Sequence, residues 1–75
     1  MDLFKKELWM NLSKRESEIL ELISWGYSDK EIACKLKISA RTVQTHVTRT
    51  VVKLRARNRT NAVANYIRQH FMSLA

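Results

Sequence analysis

Seventy-five residues with 45% apolar content make one small domain with material for a single core, and they carry a net charge of +7. One glycine, no proline and one cysteine exclude a disulfide scaffold and argue against an all-β design bounded by turn residues. No window approaches the ~20 apolar residues of a membrane-spanning helix, and Lys5, Lys6 and Glu7 interrupt the start where a signal peptide needs an apolar run. The expectation is a cytoplasmic all-α protein without a membrane partner.

The positive charge is concentrated in one half. All seven acidic residues lie at or before Glu31, and from Ile32 to Ala75 there are nine Lys or Arg and no Asp or Glu. Solubility is served by mixed signs, so a one-signed half suggests a polyanionic partner rather than a merely solvated face.

The lead, residues 1–11, has Leu3, Phe4, Leu8 and Trp9 at spacings of a short helix, expected to pack on the main body formed by residues 12–75. A first helix runs from about Lys14 to Trp25. Ser13 and Glu16 give a capping box at its start, and Gly26 supplies the left-handed residue at its end. Ile19, Leu22 and Ile23 share one face, with Leu20 on its flank and Glu18 and Glu21 toward water. Trp9 and Trp25 are read as packing residues.

A second helix, about Asp29 to Leu36, repeats the device with Ser28 and Glu31. Ile32, Ala33 and Leu36 form its inner stripe, and Ala33 is small enough for a close crossing. Cys34 reads as a small, partly buried hydrophobe, since no second cysteine or general base stands at motif spacing. After a tight turn at Lys37-Ile38, a third helix starts behind Ser39 and covers about Ala40 to Arg55. Its many β-branched residues favour a strand by propensity. Period decides otherwise, because Val43, Val47, Val51 and Leu54 step by four, four and three. Thr50, polar near the inner face, should bond back to a carbonyl one turn earlier.

A fourth helix runs from about Thr60 to Met72, capped by Asn58 or Thr60. Its apolar stripe, Ala62, Val63, Tyr66, Ile67, His70 and Phe71, is wider than one contact needs, so it has a second surface to cover.

The second and third helices together suit a DNA major groove. The third is apolar inward and carries Arg41, Gln44, Thr45, Thr48 and Arg49 outward. Gln can pair with the N6 and N7 edge of adenine, Thr with a thymine methyl or a base edge, and Arg with guanine O6 and N7. Gln44, Thr45, Thr48 and Arg49 are therefore the candidate base readers. Arg41 beside them is a candidate phosphate contact, and Arg49 is able to serve either role. His46 sits at the edge of the inner stripe, where a structural or phosphate-facing role outweighs a metal ligand's. Nothing suggests a cofactor, a metal or an enzyme: paired carboxylates, metal-ligand spacing and a phosphate-cradling loop are all missing.

The run from Leu12 to about Ile67 resembles the helix-turn-helix domain of the LuxR/GerE family of bacterial transcription regulators. The likeness is carried by LSKRESEIL, Gly26, the SDKEIA helix start, the IS-x-x-TV turn, His46-Val47, Lys53-Leu54 and Asn58-Arg59. It implies a compact four-helix bundle whose third helix enters the major groove of double-stranded DNA. It also implies a homodimer through the fourth helix, with Ala62, Tyr66 and Gln69 at the contact. By position, Gln44, Thr45 and Thr48 fall where the family reads bases, and Lys30, Thr42, Arg49 and Lys53 where it meets phosphates. The chain departs from the family at four places. Gln44 stands where a basic residue is frequent, Asp29 where Asn is common, Arg49-Thr50 where Asn-Ile is frequent, and Arg55 where a glycine often ends the third helix.

Two other readings compete. A domain similar to sigma-factor region 4, acting with RNA polymerase, shares the R-E-x-E-I-L helix, but the NRTNAV start of the fourth helix favours the regulator. A protein-interaction module on the same fold would explain the neutral Gln44, Thr45 and Thr48, and the +9 half argues against it.

Overall fold

The computed structural model describes residues 12–74, with side chains to Gln69; the lead, and the side chains of His70 and Phe71, lie outside the described residues. Four helices follow one another: α1 (Lys14–Ser24), α2 (Asp29–Leu36), α3 (Ala40–Lys53) and α4 (Arg59–Leu74). No strand occurs among the described residues.

Each start is chemically specified. Ser13 Oγ accepts from Glu16 N at 3.1 Å while Ser13 N donates to Glu16 Oε1 at 2.8 Å, and Ser28 and Glu31 repeat the exchange at 3.2 and 2.9 Å. Ser39 Oγ accepts from Thr42 N at 3.0 Å, and the two hydroxyls lie 2.8 Å apart. Asn58 caps α4, its Oδ1 accepting from Asn61 N at 2.8 Å.

The ends of α1, α2 and α3 share one closure. Gly26, Lys37 and Arg55 are left-handed, with φ of 96°, 58° and 52°. The residue after each donates its N–H five residues back: Tyr27 to Leu22, Ile38 to Ala33 and Ala56 to Val51, at 3.0–3.2 Å. Only the first uses glycine. A Cβ at Gly26 would meet nothing within 4 Å, so glycine is needed there for its backbone conformation and not for space.

The core falls into two parts that share Val51 on the inner side of α3. Ile19, Ile32, Ala33, Val43 and Val47 join α1, α2 and α3, with Leu22, Ile23, Leu36 and Val51 around them. Leu20, Leu54, Ala62 and Tyr66 join α1, α3 and α4. Leu20 is thus central to a second core and not a flank residue, because α4 returns across α1 and buries it. Thr50, buried in α3, donates from Oγ1 to His46 O at 2.8 Å, as its position in the sequence suggested.

Two further expectations, for Trp25 and Cys34, need correction. Trp25, 74% exposed, does not pack: α1 has ended and the chain turns at Gly26. Cys34 is exposed. Ala62 and Tyr66, expected at a dimer contact, are 1% and 9% exposed and belong to the domain's own core. Gln69 is half-buried and follows Tyr66 by three on the same face.

Candidate DNA-recognition surface

Packing fixes which side of α3 is free. Val43, Val47 and Thr50 are buried inward, and Arg41, Thr42, Gln44, Thr45, Thr48 and Arg49 are all exposed outward. The four candidate base readers therefore share one accessible face. Lys30 is exposed in the first turn of α2, beside the Ser28 cap. Thr42 lies at the start of α3, its hydroxyl paired with that of Ser39.

Hydrogen bonding distinguishes the two outward threonines. Thr45 Oγ1 donates to Arg41 O at 3.1 Å, so its proton is already committed to its own helix. That leaves its methyl, and an acceptor lone pair, for anything that approaches. Thr48 shows no such tie among the described residues.

Lys53 is more constrained than the sequence suggested. Its Nζ donates to Glu16 Oε1 at 2.8 Å, and the Glu16 side chain is almost fully buried. Burial would raise the Glu16 pKa, but the Lys53 ammonium and the Ser13 N–H and hydroxyl outweigh it and hold the carboxyl below its ordinary 4.5. One carboxylate thus closes the start of α1 and tethers the last turn of α3. Lys53 keeps over a third of its side chain exposed, at the border of the outward face.

A second tether was not foreseen. Arg59, at the start of α4, reaches Asp29 at the start of α2, with Nη2 2.6 Å from Oδ1. It offsets the anion that Asp29 brings beside Lys30. A third links α4 to α1, where Tyr66 donates its hydroxyl to Glu21 Oε1 at 3.1 Å. Burial and the Glu21 carboxylate push the Tyr66 pKa up to about 12. Partners 37 and 45 residues apart leave no local signal in a single sequence. Only Glu16 and Glu31 could be assigned from spacing, through their caps. His46 is half-buried, and its Nδ1 is buried without a hydrogen-bond partner.

One exposed residue on this face escaped the sequence reading. Val52, 71% exposed, follows Thr48 by four and Thr45 by seven. The helical period that selected the inner stripe would have found it, had the outer stripe been followed past Arg49.

The family model for bacterial regulatory proteins, luxR family, matches residues 10–65. The chain belongs to the luxR family. Among curated relatives, the response regulator proteins VraR of Staphylococcus aureus, Staphylococcus epidermidis and Staphylococcus saprophyticus are each 47% identical over 66 residues. That alignment takes in 88% of this chain and 31% of each relative, so the chain spans about a third of their length. The luxR-family assignment makes this a helix-turn-helix DNA-binding domain. No helix among the described residues is long and apolar enough to cross a membrane.

Proposed function

We propose that this domain binds double-stranded DNA with α3 in the major groove, Gln44, Thr45, Thr48 and Arg49 reading base edges. The observation that carries the reading is the division of α3. One side is locked into two cores, and the other is an exposed stripe of side chains able to read bases, with cations around it. Lys30, Arg41, Thr42 and Lys53 meet the flanking phosphates, supplying affinity that carries no sequence information. Gln44 pairs with adenine, and Arg49 stands at the edge of the stripe between guanine and phosphate.

The domain works as a pair on two half-sites, with α4 as the seam. Because Ala62 and Tyr66 are already used inside the domain, pairing falls to the opposite stripe of α4, through Thr60, Ala64 and Ile67. Ile67 is the large apolar side chain exposed there.

Selection from random duplexes, followed by interference mapping, tests the groove assignment. Methylating guanine N7, in the major groove, should block binding, and methylating adenine N3, in the minor groove, should not. Interference from the minor groove alone, or no salt-dependent binding to any duplex, overturns the reading.

A further inference from the structure

We propose, on the reading that α3 lies in the major groove, that Val52 is a further base-reading residue whose isopropyl group packs against the 5-methyl of a thymine. Three observations converge on it. Val52 is among the most exposed large apolar side chains of the described residues, in a half of the chain whose Lys and Arg are unopposed by any Asp or Glu. Its direction is set by the helix: at 3.6 residues per turn it points within about 20° of Thr45 and about 40° of Thr48. Arg41, Thr45, Thr48 and Val52 thus form one stripe at steps of four, three and four residues. Finally, the Thr45 hydroxyl proton is given to Arg41 O, so the group Thr45 offers outward is its methyl.

The stripe therefore alternates in chemistry. Thr45 and Val52 present carbon, and Thr48 between them presents a hydroxyl. In the major groove the matching carbon is the thymine 5-methyl, and the atom beside it, thymine O4 or adenine N6, takes the hydroxyl. Thr45 and Val52 are about 10 Å apart along the helix axis, close to three base steps at 3.4 Å. The pattern calls for two thymines separated by that distance, with the Thr48 contact between them. Nothing inside the domain needs Val52: an exposed β-branched residue slightly weakens a helix and is not held by packing here.

Deoxyuridine tests this directly, because it pairs like thymine and lacks only the methyl. Each thymine of the selected duplex is replaced singly by deoxyuridine, and the dissociation constant is measured for the chain and for Val52→Ala. One replacement should weaken the parent chain about fourfold, the effect of withdrawing one buried methyl. It should leave Val52→Ala unaffected. A second replacement, two to four base pairs away, should lose its effect in Thr45→Ser instead. Val52→Ala should melt at or slightly above the parent's temperature, since the residue is exposed and alanine favours the helix. If no deoxyuridine effect disappears in Val52→Ala while base changes opposite Gln44 still weaken binding, the role of Val52 is overturned and groove reading stands. If no base change anywhere alters binding, both fall.

Discussion

At the scale of single residues, the backbone of the three helix closures and the buried carboxylate carry the sharpest consequences. Lys37 adopts with a Cβ the conformation that Gly26 adopts without one. A left-handed residue other than glycine costs roughly 1–2 kcal/mol, partly offset because glycine loses more freedom on folding. Lys37→Gly should therefore stabilise the domain by about 0.5–1 kcal/mol, read as a rise of a few degrees in thermal midpoint. Gly26→Ala should lower it. Glu16 has the opposite leverage. Its folded-state pKa lies below the ordinary 4.5, so its contribution is complete above that value and is lost as the pH falls through the folded pKa. Glu16→Gln should cost about 1–3 kcal/mol near neutrality, through the cap and the Lys53 tether. The deficit against the parent should shrink in denaturant titrations below pH 4.5.

At the scale of elements, helix starts and stops were legible because their chemistry is local. Ser13, Ser28, Ser39 and Asn58 announce the starts and Gly26 one stop, and the period of Val43, Val47 and Leu54 overrides a β-branched composition. The turn at Lys37-Ile38 and the end of the third helix near Arg55 were legible too, but not their left-handed backbone, since nothing in a lysine or an arginine announces a positive φ. The faces of α1 and α4 were half legible: Leu20 and Tyr66 show as apolar, but which neighbour buries them depends on how α4 crosses α1. Tyr66 shows what the crossing adds. Burial and the Glu21 contact raise its pKa from 10.0 to about 12, so the stability that the protonated phenol gives in this setting is complete below pH 10.0 and is lost as the pH rises through about 12. Tyr66→Phe should cost about 1 kcal/mol and remove this alkaline step, followed by tyrosinate absorbance alongside helicity. Tyr66→Asp should unfold the domain. Ile67→Glu, on the other stripe of α4, should leave the thermal midpoint near the parent's and weaken paired binding on a two-half-site duplex. Equal losses in folding and pairing would discard Ile67 as a seam residue.

At the scale of the whole molecule, the proposed reading assigns affinity and selectivity to different side chains. The last 44 residues hold no acidic group, and the Asp29 carboxylate on the binding side is held by Arg59. Lys30→Ala should lower affinity alike for matched and mismatched duplexes, and reduce the slope of log affinity against log salt by about 0.9. Gln44→Ala should leave that slope unchanged and relax one base-pair preference, at about 1–3 kcal/mol on the matched site. The outward stripe of α3 has one more consequence. Among the described residues, no hydrogen bond or ion pair joins Gln44, Thr48, Arg49 or Val52 to another element. On the proposed reading of α3, substitution there changes the address without touching the framework. A duplicated copy of such a gene can drift to a new operator through single steps, each stable and each foldable, while the ancestral copy keeps the old one.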